Sequence, residues 1–244
     1  MIDTGKIKTN LESIQESIAQ AARTSGRQPS EITLMAVTKK KSSAVIQQLA
    51  DLGIRYIGEN YPDETLEKME TFNLLRDRVK LCMIGQLQSR KTRIVAENFA
   101  EYHSLDRLKI AQKLNGELKR IDKRMDVFLE LNVADEDSKA GWPCMDGKIP
   151  GQLMKDGELI QNLEYLNVKG IMSLPPFTEN GEENRKYFIQ LRNIFETLNQ
   201  KYGYQLTDLS MGTSSDYRIA IEEGATIVRI GTALTGPREK DEQI

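Results

Sequence analysis

The feature that most constrains this chain is a regular alternation of short apolar runs with segments of helical periodicity. The runs lie at residues 32–39, 56–60, 81–86, 101–106, 127–133, 168–174, 206–212 and 226–232, eight in all. They are short and carry no helical stripe, so they read as strands covered on both faces. Most of the gaps between them have amphipathic helical spacing, as at 43–52, 107–120, 182–200 and 216–223. Strands that alternate with helices pair in parallel, and eight such units close a barrel. An open doubly wound sheet expects a glycine fingerprint after its first strand, where this chain has Lys40, Lys41 and Ser42. The expected fold is therefore α/β, a single (β/α)8 TIM-type barrel. Leu11, Ile14, Ile18, Ala21 and Ala22 precede it at helical spacing until Gly26 and Pro29 interrupt, which adds an N-terminal helix.

Residues 1–244 read as one domain, with 1–30 as the N-terminal helix and its connection and 237–244 as a charged, frayed tail. The least regular stretch, 135–157, holds Trp142, Pro143, Gly147, Pro150 and Gly151, and is expected to be a long mobile loop after the fifth strand. Basic residues number 34 and acidic residues 36, a net charge of −2 that gives no electrostatic reason to expect nucleic acid or an anionic membrane as partner. No run approaches the ~20 apolar residues of a membrane span, and residues 1–10 lack the apolar core of a signal peptide. Cys82 and Cys144 form neither a CxxC pair nor a disulfide framework, which suits a reducing cytoplasm. His103 is the only histidine, so no metal-ligand motif is evident, and it reads as a strand-end hydrogen-bonding residue. Residues 231–236 have P-loop glycine spacing, but Pro237 and Arg238 follow where lysine and a hydroxyl residue are needed.

Some residues fit a purely structural barrel poorly. Side chains alternate along a strand, so Thr33, Met35, Val37 and Lys39 share one face. Lysine at the end of an inward row is costly unless it is paired or chemically used. One reading makes residues 39–41 a solvated charge cluster; the other makes Lys39 the amine nucleophile of a Schiff base. Arg229 sits between apolar neighbours and cannot lose its proton. Its partner is either a carboxylate such as Glu59 or Glu130, in a structural salt bridge, or a ligand acceptor at the barrel mouth. Barrels often build a phosphate site from the loops after strands seven and eight. Those loops hold Ser210, Gly212, Thr213 and Ser214, then Gly231 and Thr232. Thr213 and Asp216 have capping-box spacing, so free backbone N–H groups are expected there as an anion cradle. Asn60, at the end of the second run, either hydrogen-bonds a ligand hydroxyl or begins a helix.

Taken together, AVTK at 36–39, GENY at 58–61, IGQLQS at 84–89, HSLD at 103–106, residues 132–139, GIMS at 170–173, LSMG at 209–212 and VRIGT at 228–232 resemble the pyridoxal phosphate homeostasis protein family. The barrel of that family is similar to the N-terminal domain of alanine racemase. The resemblance covers nearly the whole chain. It implies pyridoxal 5′-phosphate (a vitamin B6 form) as cofactor, held as an internal aldimine at Lys39. It also implies phosphate contacts from Ser210, Gly212, Thr213, Ser214, Gly231 and Thr232, Arg229 at the pyridine nitrogen, and Asn60 close to the cofactor. Lys40 stands where the family commonly has threonine, Gln86 where it has histidine or proline, and Thr213 where it has methionine. Lys40 thus offers a competing amine. Residues 142–157 diverge, and nothing is carried over to them.

Racemases of this barrel class draw a tyrosine base from a second domain, whereas this chain runs on for about a dozen residues after Gly231. Abstracting a proton from both faces needs two placed acid–base groups, and the sequence offers Lys39 alone. The expected function is a binding protein for intracellular pyridoxal phosphate homeostasis and delivery, with no catalytic residues, no metal, a monomeric state and cofactor-dependent apoenzymes as partners. The alternative is a pyridoxal phosphate-dependent amino-acid racemase or lyase, with Tyr61 or Tyr217 as a second base.

Overall fold

Eight parallel strands close on themselves in the computed structural model, which describes residues 4–134 and 139–237. They are β1 (Thr33–Val37), β2 (Tyr56–Glu59), β3 (Lys80–Met83), β4 (Glu101–Leu105) and β5 (Met125–Asn132), then, after a two-residue strand β6 (Trp142–Pro143), β7 (Leu166–Met172), β8 (Asp208–Ser210) and β9 (Ile227–Ile230). Their order is β4-β3-β2-β1-β9-β8-β7-β5, and a β4–β5 pairing completes the ring. The strand β6 pairs only with the end of β5, outside the ring. Every apolar run of the sequence forms a barrel strand, and the expected (β/α)8 architecture is the observed one.

The helices are α1 (Thr4–Thr24), α2 (Ser43–Asp51), α3 (Pro62–Leu66), α4 (Met69–Leu74), α5 (Thr92–Asn98), α6 (Leu108–Arg120), α7 (Gly151–Gln161), α8 (Arg185–Tyr202), α9 (Tyr217–Glu222) and α10 (Thr232–Thr235). The expected N-terminal helix is α1, whose Ile7, Leu11, Ile14, Ile18 and Ala22 are buried in the outer core. It packs against α9 and α10. Because α10 has only four residues, α1 supplies the apolar face that a full last helix would present. Asn10 ties it there by donating to the Leu234 carbonyl at 3.0 Å.

The stretch 135–157 needs correction. Residues 135–138 lie outside those described, but the remainder is no plain loop: Trp142 is buried, and α7 begins at Gly151. Trp142 donates its indole N–H to Asp156 at 3.0 Å, which draws the divergent segment onto α7. Proline and glycine concealed this helix because Pro150 and Gly151 stand at its start, where an unsatisfied N–H costs nothing extra. Of the expected tail, 238–244 likewise lies outside the described residues.

The barrel divides two apolar layers. Between strands and helices lies the larger; inside the ring Met35, Cys82, Ile84, Phe128, Met172 and Ile227 form the smaller, with Val37 packed on it. Beneath them, at the strand N-terminal end, Glu101 accepts from Lys80 at 3.3 Å and stands 3.6 Å from Lys169. Burial opposes its ionisation, yet the His103 hydrogen bond and the two lysines hold its carboxyl at about 2. Near the other end Glu130 is 6% exposed and its Oε2 has no partner. Burial first, then the Asp106 charge, push its carboxyl up to about 7, against Arg229 and Lys139.

The folded state therefore keeps a proton on Glu130 that the unfolded chain loses. Its cost is absent below about 4.5, grows as pH rises to about 7 and then levels off. Relative to the parent, Glu130→Gln should gain up to ~3 kcal/mol of stability between these pH values. Urea unfolding at a series of pH values measures this; a difference independent of pH would mean that Glu130 titrates normally.

Candidate functional site

The strand β1 delivers Lys39 to the C-terminal mouth of the barrel, and both of its neighbours are fastened. Thr38 donates its hydroxyl to Glu59 at 2.7 Å, and its carbonyl accepts from Lys68 at 3.1 Å. Lys68 also bonds Glu59 at 2.9 Å and Glu64 at 2.6 Å. Lys40 donates its backbone N–H to Glu64 at 2.6 Å and sits in the left-handed region at φ 59°. Glu59 is fully buried; burial raises its carboxyl pKa, and the Lys68 charge and hydrogen bond oppose that rise. Breaking such a buried pair typically costs ~3–5 kcal/mol, so the clamp on this turn is firm.

The three successive lysines go three ways. Lys39 lines a cavity, Lys40 is exposed on the turn, and Lys41 is buried with its amine on the carbonyls of Thr235 and Pro237. Residues 39–41 are therefore not a solvated cluster, and Lys40 is not among the residues lining the cavity.

That cavity has a volume of about 550 Å³, within the usual range for small-molecule sites. Lys39, Asn60, Thr213 and Ser214 line it from the ends of β1, β2 and β8, and Arg229, Gly231 and Thr232 from β9 and its loop. Two expected contacts lie elsewhere. The Ser210 hydroxyl is fully buried beneath Arg229, from which it accepts at 2.6 Å. Gly212 turns the chain at φ +91°, where a Cβ would stand 2.6 Å from that of Ala220, so packing against α9 requires glycine there.

Arg229 is 3% exposed. Its guanidinium donates to Ser210 Oγ at 2.6 Å and to the Ser173 carbonyl at 2.8 Å. Among the described residues no carboxylate lies within ion-pair distance of it, and burial lowers its pKa to about 10. The structural salt bridge to Glu59 or Glu130 is not formed: Glu59 is bonded by Lys68 and Thr38, and Glu130 acts on Arg229 only through space. A buried cation that Asp216 and Glu130 reach only through space, with no ion pair formed, suits a ligand acceptor on a cavity wall.

The expected anion cradle is built differently. Asp216 accepts from the Thr213 backbone N–H at 2.6 Å and from its hydroxyl at 3.1 Å, so that N–H is engaged. Instead, Ser214 Oγ accepts the N–H groups of Gly231 and Ala233, each at 3.3 Å. An oxygen acceptor thus already stands at the start of α10, where a phosphate oxygen would be held. A Cβ on Gly231 would come no closer than 3.6 Å to Val37, the nearest residue beyond its chain neighbours, so the backbone there is uncrowded. Asn60 is held from behind: a Cβ on Gly85 would meet the Asn60 carbonyl at 2.3 Å. Its side-chain Oδ1 is buried without a partner on the cavity wall. A cation hydrogen-bonded only to neutral groups, an orphaned amide oxygen and two N–H groups on one hydroxyl fit a ligand with a phosphate and a polar ring.

Sequence reasoning missed Lys139, a second lysine on the wall, and Leu174 and Phe177, apolar residues at the mouth. A lysine beyond the fifth strand carries no local signal of facing Lys39; ring closure brings them together. It also missed the burial of His103, which is no strand-end residue but stacks on Phe128 inside the ring, with centroids 3.8 Å apart. Cys82, Glu101 and His103 come within 4.8 Å of one another. Lys80 and Lys169 already neutralise Glu101, and burial keeps the Cys82 thiol far above its usual pKa, so the trio is poorly suited to a cation.

The family described as alanine racemase, N-terminal domain, matches residues 2–239. A pyridoxal phosphate homeostasis protein of Pasteurella multocida is 37% identical over 96% of this chain and 98% of its own. One from Vibrio cholerae is 39% identical over 96% and 97%. PipY of Synechococcus elongatus, solved with PLP bound, superposes with a TM-score of 0.78 at 28% identity, over 94% of this chain and all of its own. An alanine racemase of Clostridium difficile shares the fold, with a TM-score of 0.73 at 15% identity over 98% of this chain and 61% of its own. The chain belongs to the pyridoxal phosphate homeostasis protein family, on the barrel of the alanine racemase N-terminal domain.

Proposed function

We propose that this chain binds pyridoxal 5′-phosphate in the cavity, with Lys39 as covalent anchor, and acts as a carrier in pyridoxal phosphate homeostasis. The observation that carries the reading is Arg229, a buried cation with no carboxylate partner among the described residues, on the same wall as Lys39. The names of the relatives and the cofactor in the PipY structure support it. Pyridoxal phosphate supplies a reactive aldehyde and an electron-withdrawing ring. Lys39 is the residue that would hold the aldehyde end through its amine, and the Glu59–Lys68 clamp keeps the turn that presents it still. Ser214, Gly231 and Thr232 would hold the phosphate, with Thr213 beside them on the wall, Gly212 shaping the loop and Ser210 bracing it from below. Asn60 faces a ring substituent.

Arg229 can only donate hydrogen bonds, so against the ring nitrogen it disfavours a second positive charge there. An unprotonated ring is a weak electron sink, which keeps bound cofactor intact for delivery rather than turning over amino acids. The same reading takes the barrel as one functional unit over residues 1–244, a monomer in the cytoplasm, with cofactor-dependent apoenzymes as recipients and no nucleic acid or membrane partner. Among the described residues no helix is long and apolar enough to cross a membrane.

Two measurements test the site. After incubation with pyridoxal phosphate, the parent should show a visible band that borohydride abolishes, and Lys39→Ala should lack it while retaining cofactor noncovalently. An unchanged band in the variant would move the anchor to another amine. Replacing Ser214 and Thr232 together by alanine should weaken cofactor retention by ~10-fold or more, since charge-assisted hydrogen bonds are worth ~1.5–3 kcal/mol each. Equal retention, by equilibrium dialysis, would place the phosphate elsewhere.

A further inference from the structure

A hydrogen-bonded chain runs through the barrel from the cavity to the opposite mouth. Arg229 donates to Ser210 Oγ at 2.6 Å, Ser210 Oγ lies 3.4 Å from His103 Nδ1, and His103 Nε2 lies 3.0 Å from Glu101 Oε2. Lys80 and Lys169 hold the far carboxylate oxygen of Glu101. Both ends dictate the direction of every bond. Guanidinium has only donors, so Ser210 must accept from Arg229. Glu101 is ionised and has only acceptors, so the His103 proton must sit on Nε2. Nδ1 is then a bare lone pair, and the single Ser210 hydroxyl proton points to it.

We propose that His103 is a positioning residue for the cofactor site: by accepting the Ser210 proton at Nδ1, it fixes the serine lone pair that seats the Arg229 guanidinium on the cavity wall. This rests on the reading of Arg229 as the group that meets the cofactor ring. Protonating His103 would place an N–H against Ser210, strand the serine proton and set a second cation beside Arg229. The groups around the chain favour the neutral ring on balance. Burial above all opposes protonation of His103, Glu101 on its own strand draws a proton toward it, and Arg229 on β9 and Lys169 on β7 add to the opposition. Lys80 and Cys82 on β3 face Glu101, Asp126 and Asp208 on β5 and β8 face Lys169, and Asp216 in the loop after β8, then Glu130 on β5, act on Arg229. The contact on the remaining side is the Phe128 ring, which cannot titrate.

Because His103 is the only histidine in the chain, nitrogen-15 NMR of histidine-labelled protein reads its tautomer without ambiguity. In the full chain without cofactor at pH 7.5, Nε2 should be protonated and Nδ1 unprotonated; a protonated Nδ1 overturns the proposal. His103→Phe keeps the stack and removes the acceptor, whereas His103→Asn keeps an acceptor near the Nδ1 position. The first should bind pyridoxal phosphate ~10-fold more weakly, and the second within ~3-fold of the parent. In the parent, affinity should also fall as pH drops below the ordinary histidine value of ~6.5, a limb that His103→Asn lacks. Equal affinities and equal pH profiles in all three, or equal losses in both variants, would reduce His103 to packing. A parent that binds no pyridoxal phosphate would defeat the proposed function, and the tautomer measurement would still decide the hydrogen-bond chain. Should His103→Phe fail to fold, the tautomer and the pH profile of His103→Asn carry the test.

Discussion

A guanidinium enclosed in the barrel with no ion pair among the described residues is the constraint on which the upper half of the structure depends. Arg229 keeps its charge at any working pH, so its donors must find acceptors inside the ring. It finds the Ser210 hydroxyl and the Ser173 carbonyl, which accounts for polar residues at the ends of β7 and β8 where apolar ones would otherwise pack. Its own backbone N–H donates to the Gly212 carbonyl at 3.0 Å. The loop after β8 is thereby tied to β9, and Gly212 can turn tightly toward α9 only because it lacks a Cβ. Placing one buried cation outside any ion pair thus sets both loops that border the cavity.

Charge is distributed unevenly along the barrel axis. At the strand N-terminal end, Glu101, Lys80, Lys169, Asp126 and Asp208 form a mutually satisfied belt. At the other end the groups are strained: Glu130 holds its proton to about 7, and Glu59 leaves one oxygen without a partner. A barrel built for stability alone would fill such positions with aliphatic side chains, since buried ion pairs seldom outweigh their desolvation. Strain confined to one mouth is what a binding site requires, and that mouth is where barrels of this class place their chemistry.

The strands were legible in the sequence because each is a short run covered on both faces, and parallel pairing follows from the helices between them. Lys39 and Arg229 were legible as anomalies, charges in apolar rows. Less so were residues whose role depends on a neighbour distant in the chain. Ser210 reads as a loop hydroxyl yet lies under Arg229; Ser214 reads as a cap hydroxyl yet accepts the N–H groups of Gly231 and Ala233; Lys41 looks solvated yet is buried on the carbonyls of Thr235 and Pro237. The helix α7 was hidden because Pro150 and Gly151, signals of irregular chain, are tolerated at a helix start.

The sequence by itself determined the architecture, the strand that leads into Lys39 and the strand that carries Arg229, because periodicity is local and needs no partner. Only the tertiary structure decided which hydroxyls and N–H groups face the cavity and that Lys139 shares its wall with Lys39. It alone set His103 between Ser210 and Glu101. Ring closure brings residues from strands far apart in sequence into contact, and a hydrogen-bond direction is settled by the donors and acceptors at both ends of a chain, which no single segment contains.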